Sequence, residues 1–461
     1  MRPFSFTVSA DTIVALSTPP GRGAIGVIRL SGPDALELTR SLTLDPEFNP
    51  EPNRVYLKAI HDQDSHETID RALVTYFKSP HSYTGEEVVE ISCHGSPPLL
   101  LSVIDSLLLL GARAADPGEF TLRALTNGRI NLTQAEAVRD LIDAQTHAAV
   151  RQAAQQLGGE LSARLQPIKD SLLELIVLLE SSLEFVEDDL PADALHDLSK
   201  KLSALSADVN EMADTFRRGR LLKEGIRVAL VGRPNVGKSS IFNSLLTTDR
   251  AIVTDIPGTT RDTLSEVINI DGIPILITDT AGVRTATDEI EQLGIARTRR
   301  AVSDADFIVV VLDGSQPLAV EDQVIINEAS DNFFIIALNK SDLASFNPDN
   351  AREIKVSSPI ISVSAKTGDG LKDLCAAIIE PFSSTKMHEN SFVITSARHY
   401  DLLRLIGGAL DESERSLRQK MSEELIVAKL HEALQLLGEI TGETTPEDIL
   451  SQIFSTFCIG K

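Results

Sequence analysis

Over residues 225–380, short apolar runs alternate with segments that have the spacing of helices. Short apolar runs bounded by turn residues are typical of buried strands, and helices between them are typical of a parallel α/β sheet. The predicted strands lie at 226–231, 273–278, 333–338 and 360–363, and the helical spacing at 240–246 follows the first of them. We therefore predict an α/β domain over 225–380.

The segments on either side of this domain have different patterns. Residues 1–126 mix predicted strands with predicted helices, which indicates an α+β domain. Residues 127–224 and 381–461 are almost entirely helical in pattern, and no glycine occurs from Glu160 to Arg218. We predict that these two segments pack together as one helical-bundle domain, into which the α/β domain is inserted.

A phosphate-binding motif follows the first predicted strand. Residues 232–239 read Gly-Arg-Pro-Asn-Val-Gly-Lys-Ser, and the motif requires the strand before it and the helix after it. In such a loop, backbone N–H groups surround the β-phosphate, Lys238 reaches the β and γ oxygens, and the Ser239 hydroxyl binds Mg²⁺. The predicted nucleotide contacts here are Asn235, Val236, Gly237, Lys238, Ser239 and Ser240.

Two further segments carry residues that suit Mg²⁺ and the γ-phosphate. In Asp279-Thr280-Ala281-Gly282, which follows the second predicted strand, Asp279 would hold the metal through water and the Gly282 N–H would contact the γ-phosphate. Residues 254–262 supply Thr260 as a second Mg²⁺ ligand. The predicted nucleotide contacts in that segment are Thr254, Asp255, Ile256, Pro257, Gly258, Thr259 and Thr260.

The last two motifs predict which base is bound. Residues 339–342 read Asn-Lys-Ser-Asp, and residues 364–366 read Ser-Ala-Lys. The carboxylate of Asp342 can accept from N1–H and N2–H₂ of guanine together, and adenine offers no such pair of donors. Motifs in this order predict a Ras-like P-loop GTPase domain that binds GTP. The predicted base contacts are Asn339, Lys340, Asp342, Ser364, Ala365 and Lys366.

Composition narrows the compartment and the partners. The 461 residues carry a net charge of −24, from 43 Lys and Arg against 67 Asp and Glu. The three cysteines lack metal-ligand spacing, no apolar run approaches a membrane span, and no secretory signal is evident, which favours the cytoplasm. Because phosphate contacts dominate nucleic-acid affinity, so acidic a chain would bind RNA through basic patches, at 217–223 or 297–300, or through a partner.

The motifs resemble those of the tRNA modification GTPase family MnmE, also called TrmE. The resemblance rests on GRPNVGKSS at 232–240, TDIPGTTRD at 254–262, DTAG at 279–282, NKSD at 339–342 and the terminal FCIGK at 457–461. Residues 18–32 and 117–138 match as well, so the resemblance spans essentially the whole chain. It implies a homodimer with three domains, one of which is the inserted GTPase domain.

For GTP hydrolysis, the resemblance implies activation by K⁺-dependent dimerisation of the GTPase domains. K⁺ would be bound by Asn235, Thr254, Ile256 and Thr259, the last two largely through backbone carbonyls. A monovalent cation at this position would supply the positive charge that an arginine finger supplies in other GTPases.

The resemblance also implies which residue orients the attacking water. Val283 stands where Ras-like proteins carry a glutamine for this purpose, and an apolar side chain cannot orient water. The catalytic glutamate of the family corresponds to Glu291, which would act through a bridging water. Arg261 is the alternative for stabilising the developing charge.

For the N-terminal domain, the resemblance implies constitutive dimerisation and the binding of 5-formyl- or 5,10-methylene-tetrahydrofolate, the one-carbon donor. The corresponding ligands are Arg29, Glu90, Arg129 and Lys461. A carboxylate suits the N–H donors of the pterin, and cations suit the glutamate tail. The family also uses Lys at position 129, so the charge is kept while the geometry of the bond changes. Cys458 would lie near this site.

The implied function needs a second protein. A flavoprotein partner, MnmG, would form a heterotetramer with the chain and bring FAD and NADH. Together they would add an aminomethyl or carboxymethylaminomethyl group to C5 of the wobble uridine of certain tRNAs, and GTP hydrolysis would drive a conformational step. The residues alone leave two alternatives open: a ribosome-assembly or signalling GTPase, and a folate-dependent methyltransferase with a regulatory GTPase domain.

Overall fold

The computed structural model describes two compact units of the chain. The described residues are 11–63, 65–184, 192–248, 264–270, 272–279, 305–330, 332–351, 354, 358–382, 392–419, 421–444 and 446–460. The first unit consists of Met1–Arg139, Gln156–Leu205 and Gly408–Lys461. The second unit consists of Asp140–Gln155 and Ser206–Gly407.

A six-stranded sheet lies near the N-terminus of the first unit. Its strands are β1 (Ile13–Leu16), β2 (Ile25–Ser31), β3 (Val55–His61), β4 (Thr68–Phe77), β5 (Val88–His94) and β6 (Arg113–Ala114). The order is β3-β4-β5-β2-β1-β6, and every pair is antiparallel except β1 with β6. The predicted mixture of strands and helices in this region is therefore confirmed.

One face of this sheet is covered along its length, and the other is covered in part. Helices α1 (Ala35–Leu42) and α2 (Pro97–Leu109) pack on the first face, where alternate residues of β5 such as Ile91 are buried against them. On the second face, helix α3 (Glu119–Thr126) packs beside β1 through Phe120. On β3 and β4 this second face is only partly covered: Val55, Leu57 and Leu73 are exposed, and Ala59 and Thr75 are half-buried.

The helical segment before the GTPase domain is built from long helices. They are α4 (Leu132–Asp143), α5 (His147–Leu157), α6 (Glu160–Glu184), α7 (Ala192–Asp214) and α8 (Phe216–Glu224). The absence of glycine from residue 160 to residue 218 is consistent with this, because glycine in a helix interior costs about 1 kcal/mol relative to alanine.

The second unit contains a six-stranded sheet with the strand order of a Ras-like GTPase domain. Its strands are β7 (Ile226–Val231), β8 (Leu264–Ile270), β9 (Ile273–Asp279), β10 (Phe307–Asp313), β11 (Phe334–Asn339) and β12 (Ile360–Ser362). The order is β12-β11-β10-β7-β9-β8, and all pairs are parallel except β8 with β9. Strands β8 and β10 were not among the runs named from the sequence.

Helices cover both faces of this sheet, which is why its central strands are apolar throughout. Helices α9 (Lys238–Thr248) and α11 (Leu371–Ile379) bury one face, and α10 (Val320–Ala329) buries the other. Every residue of β10 and β11 is buried. Short 3₁₀ turns follow at Pro348–Ala351 and Glu380–Phe382.

The C-terminal segment returns to helices, as predicted. They are α12 (Ala397–Arg418), α13 (Glu423–Thr441) and α14 (Glu447–Ser455). Within the first unit, Lys169 of α6 forms an ion pair at 2.7 Å with Glu443, just after α13, and Nε2 of His431 on α13 lies 3.0 Å from Oε1 of Glu180 on α6. Residues from both sides of the GTPase domain therefore pack together there. No described helix combines the length and the apolar character needed to cross a bilayer.

Candidate functional site

The phosphate loop connects β7 to α9 in the second unit. Its backbone has positive φ at Asn235 (+65°) and at Gly237 (+101°). A Cβ atom at position 237 would lie 2.1 Å from Nδ2 of Asn339, so only glycine fits there. Because α9 begins at Lys238, the unpaired N–H groups of its first turn lie at the loop and favour an anion.

The side chain of Lys238 is buried although it is charged. Its Nζ donates to the carbonyl oxygens of Gly232 at 2.7 Å and Arg233 at 2.8 Å. These bonds hold the ammonium across the loop, in reach of a phosphate bound by the loop. Ser239 follows and is exposed, and its hydroxyl oxygen is a donor of the kind that Mg²⁺ prefers.

The side-chain amide of Asn339 connects the phosphate loop with the loop at 364–366. Its Nδ2 donates to the carbonyl of Val236 at 2.9 Å, and its Oδ1 accepts from the N–H of Ala365 at 3.2 Å. The carboxylate of Asp342 accepts from Oγ of Ser364 at 2.8 Å, which orients Asp342. The motifs at 339–342 and 364–366 are thus joined by hydrogen bonds and lie side by side.

Lys340 is fixed by a residue that the sequence analysis did not single out. Its backbone has φ of +69°, and its Nζ pairs at 2.6 Å with Oδ2 of Asp313, the last residue of β10. Burial alone would raise the pKa of Asp313, but hydrogen bonds from Lys340 and Ser315 hold it below its ordinary value. The pair therefore stays charged at neutral pH and keeps the Lys340 stem in place.

These loops line one open cavity of about 490 Å³. Cavities of this size hold ligands as large as nucleotides. Its lining is Asn235, Gly237, Ser240, Ser244, Asn339, Lys340, Asp342, Leu343, Ala365 and Lys366, most of which the sequence analysis predicted as GTP contacts. No three His, Cys, Asp or Glu side chains cluster as metal ligands in the described ranges, and a Mg²⁺ bound by hydroxyl and phosphate oxygens needs no such cluster.

A second polar site lies on the partly covered face of the N-terminal sheet. Arg29 on β2 and Glu90 on β5 are directly opposite in the strand register. Nε and Nη2 of Arg29 donate to Oε1 of Glu90 at 2.9 Å and 2.7 Å. The side chains are 16 % and 27 % exposed, so the pair is largely buried but still accessible to a ligand.

Two aromatic rings enclose Arg29. Its guanidinium carbon lies 5.6 Å from the ring centroid of Tyr83 and 5.7 Å from that of Phe120. Burial raises the pKa of Tyr83, and its hydroxyl shares a hydrogen bond of 2.9 Å with Thr121. A cation between ring faces gains about 0.5–2 kcal/mol, so Arg29 is held in a defined position.

Other residues predicted for this site approach it from two directions. The stem of the exposed Arg129 lies beside Gly85, in the loop that supplies Tyr83. The C-terminal tail lies along the end of β1, where Oγ of Ser17 donates to the carbonyl of Gly460 at 3.2 Å. Cys458, whose side chain is exposed, accepts through its carbonyl from the N–H of Gly118 at 3.4 Å. The tail is therefore brought to the start of α3, the helix that carries Phe120.

The sequence analysis missed a buried ionic network around Arg123, which is 4 % exposed. Its guanidinium contacts Asp11 at 2.6 Å, Glu119 at 2.9 Å and Glu86 at 3.2 Å. The spacing of Glu119 and Arg123 on one helix face was a signal for one of these pairs. The network fixes α3 to the loop around residue 86, and so fixes the rings beside Arg29.

Several predicted site residues lie outside the described part of the chain. They are Thr254, Asp255, Ile256, Pro257, Gly258, Thr259, Thr260, Arg261, Thr280, Ala281, Gly282, Val283, Glu291 and Lys461, and the basic patch at 297–300. Asp279 is described as the last residue of β9, so the strand leads to the position that the motif requires.

Comparisons with known proteins cover the whole chain. The family described as "MnmE helical domain" matches residues 132–458, and that described as "GTP-binding protein TrmE N-terminus" matches residues 12–129. A protein of Koribacter versatilis named tRNA modification GTPase MnmE is 44 % identical over 454 residues, covering 98 % of this chain and 99 % of the relative.

Relatives with the same name occur in other bacteria. The one from Natranaerobius thermophilus is 42 % identical over 460 residues, covering 98 % of this chain and 100 % of the relative. The one from Aquifex aeolicus is 41 % identical over 452 residues, with coverage of 98 % and 100 %. Together with a Ras-like sheet and a phosphate loop that shares its cavity with the Asn339–Asp342 motif, these matches establish that the chain belongs to the MnmE (TrmE) family of tRNA modification GTPases.

Proposed function

We propose that the chain hydrolyses GTP and, with a flavoprotein partner, adds an aminomethyl or carboxymethylaminomethyl group to C5 of the wobble uridine of certain tRNAs. The one-carbon unit comes from a tetrahydrofolate. The observation that carries the proposal is the single cavity lined by both the phosphate loop and Asp342, in a chain whose relatives are named tRNA modification GTPases.

The nucleotide is recognised at both ends of this cavity. Asp342 accepts from N1–H and N2–H₂ of guanine, and the bond from Ser364 orients its carboxylate for this purpose. The N–H groups from Asn235 to Ser240 surround the β-phosphate, and Lys238 exchanges a carbonyl for a phosphate oxygen. The Ser239 and Thr260 hydroxyls, with Asp279 through water, would hold Mg²⁺, which would neutralise negative charge on the phosphates.

Hydrolysis requires two further elements. Val283 cannot orient water, so we assign that role to Glu291, which acts through a bridging water. Asn235, Thr254, Ile256 and Thr259 would hold K⁺ when two GTPase domains meet, and the ion would supply positive charge there. The positive φ of Asn235 is consistent with a loop that presents this side chain to a ligand.

The second site suits a reduced folate. Glu90 would accept from the N–H edge of the pterin, and the half-buried ring of Tyr83 would provide an apolar face for a planar group. Arg29 counters the charge of Glu90, and Arg129 and Lys461 contact the glutamate tail. When bound, the folate supplies the one-carbon unit.

RNA contacts come largely from the partner, MnmG, in a heterotetramer. The chain has a net charge of −24. In the basic patch at 217–223, which lies on α8, two of the cations already form ion pairs with acidic side chains. Arg220 pairs with Glu224 at 2.9 Å, and Lys223 pairs with Asp140 at 2.7 Å. An assembly that acts on tRNA works in the cytoplasm, where we place the chain.

A second copy of the chain covers the exposed part of the N-terminal sheet. Val55 and Leu57 on the edge strand β3 and Leu73 on β4 lie on the face away from α1 and α2. Their side chains are 60 %, 58 % and 46 % exposed. Clusters of exposed apolar side chains on one sheet face are typical of interfaces, and a homodimer would remove this one from water.

Replacing Asp342 with Asn should exchange the base preference. An amide cannot accept from both guanine donors, so the affinity for GTP should fall by roughly a hundred-fold or more, while that for xanthosine triphosphate should rise. Competition against a fluorescent guanine nucleotide measures both. Asp373→Asn, on the exposed side of α11, is the matched control. Unchanged GTP affinity in Asp342→Asn would remove guanine recognition from this residue.

GTP hydrolysis should be at least about ten-fold faster in K⁺ than in Na⁺ at equal ionic strength, because K⁺ stabilises charge in the transition state. Glu291→Ala should abolish this stimulation but still bind GTP. Glu289→Ala, at a neighbouring acidic position, should behave as the wild type. Equal rates in the two salts would argue against a K⁺ site and for an external activating protein.

Replacing Glu90 with Gln should weaken the binding of 5-formyltetrahydrofolate by roughly ten-fold or more, since hydrogen bonds to charged groups contribute about 1.5–3 kcal/mol. Isothermal titration calorimetry measures the affinity. Glu67→Gln, an exposed carboxylate near the start of β4, is the control. A dissociation constant of Glu90→Gln equal to that of the wild type would place the folate elsewhere.

The double variant Leu57→Glu/Leu73→Glu should be monomeric at micromolar concentration, because it places charges in the proposed interface. Light scattering gives the mass directly. Leu109→Glu changes a leucine that is 69 % exposed on α2 and should leave the mass unchanged. A double variant with the mass of the wild type would exclude this face as the interface.

A further inference from the structure

Arg233 is the second residue of the phosphate loop, at a position that the motif leaves variable. Its side chain extends to the start of α10, where Nε donates to Oδ1 of Asp322 at 2.7 Å. The Asp322 side chain is 2 % exposed and that of Arg233 is 25 % exposed. Because so buried a carboxylate requires a charged partner, the pair joins the phosphate loop firmly to α10.

Both oxygens of Asp322 are engaged. While Oδ1 receives Arg233, Oδ2 accepts from the backbone N–H of Ala319 at 3.0 Å, at the N-terminus of α10. A carboxylate in the first turn also interacts favourably with the helix dipole. The hydrogen bond to Asp322 raises the pKa of Arg233 above its ordinary value. The position of the guanidinium is therefore set by the start of α10.

The backbone of Arg233 contacts the phosphate-binding lysine. Nζ of Lys238 donates to the carbonyl of Arg233 at 2.8 Å and to that of Gly232 at 2.7 Å. The side chain and the carbonyl of one residue thus connect α10 with Lys238. A displacement of Arg233 would move the acceptor on which the ammonium depends.

The segment that leads into α10 is also connected to the base loop, which consists of residues 339–342. Asp313 at its start pairs with Lys340, and the N–H of Gly314 donates to the carbonyl of Asn339 at 2.9 Å. Residues 313–322 are therefore attached to the base loop at one end and, through Asp322, to the phosphate loop at the other. Because both ends of this segment are held, the start of α10 can fix the position of the phosphate loop.

We propose that Arg233 and Asp322 are positioning residues for the β-phosphate, and that neither side chain touches the nucleotide. The inference rests on nucleotide binding in this cavity. Loss of the pair lets the phosphate loop relax, which weakens GDP and GTP alike because both carry a β-phosphate. GMP lacks that group and depends on the base loop, so its affinity stays the same.

Four proteins separate positioning from stability: the wild type, Arg233→Ala, Asp322→Asn and the double variant. Arg233→Ala leaves a buried charge without its partner and should lower the melting temperature. The double variant removes that charge and should regain most of the stability, yet its phosphate loop is still detached from α10. Arg220→Ala, which breaks an exposed pair on α8, is the matched control.

Affinities for GDP, GTP and GMP are measured by competition against a fluorescent GDP, well below every melting temperature. We expect Arg233→Ala and the double variant to bind GDP and GTP roughly ten-fold more weakly, which corresponds to about 1.4 kcal/mol. GMP should stay within about two-fold, because one truncation remote from the base loop should leave that subsite unchanged. Arg233→Lys keeps the charge and should recover part of the GDP affinity.

Three results would overturn the inference. If GDP affinity returns together with stability in the double variant, the pair only stabilises the fold. The same follows if Arg233→Ala lowers the melting temperature but leaves GDP binding unchanged. Equal losses for GDP and GMP would show that the base loop is damaged. If the wild type binds no guanine nucleotide, the proposed function fails instead, which is a separate outcome.

Discussion

The nucleotide site depends on one side-chain amide. Asn339 donates to the carbonyl of Val236 in the phosphate loop and accepts from the N–H of Ala365 in the loop at 364–366, so two segments far apart in sequence are attached to one side chain. The contact requires that position 237 carry no side chain, since a Cβ there would collide with the same amide. The Asn339 side chain therefore helps to set the distance between the phosphate loop and the loop at 364–366.

Both sites hold their cations in advance of any ligand. Lys238 donates hydrogen bonds to two backbone carbonyls, and Lys340 forms an ion pair with Asp313. Arg29 forms an ion pair with Glu90 and lies between two aromatic rings. Long cationic side chains lose about 1.5–2 kcal/mol of rotamer entropy when they become ordered. Folding has already ordered these three side chains, so ligand binding causes no further loss of their rotamer entropy. This is the physical basis of preorganisation.

The two sites differ in what keeps them rigid. In the GTPase sheet, the parallel strands β7 and β11 are almost entirely buried and carry the phosphate loop and the loop at 339–342 at their carboxyl ends, so apolar packing sets the geometry. In the N-terminal domain, α3 is fixed by Arg123 and three carboxylates. Removing one partner of such a network costs about 3–5 kcal/mol, so charge adds to the apolar packing of Phe120 there.

The sequence alone determined the α/β domain, the phosphate loop and guanine recognition, because those motifs depend on residues close together in the chain and on the periodicity of apolar positions. It also identified the family. It did not determine the partners of Arg233, Lys340 and Arg123, which lie 89, 27 and up to 112 positions away. Such contacts depend on how strands and helices are arranged in space, since a charged side chain selects its partner by distance and burial. The spacing of residues along the chain gives neither this distance nor this burial.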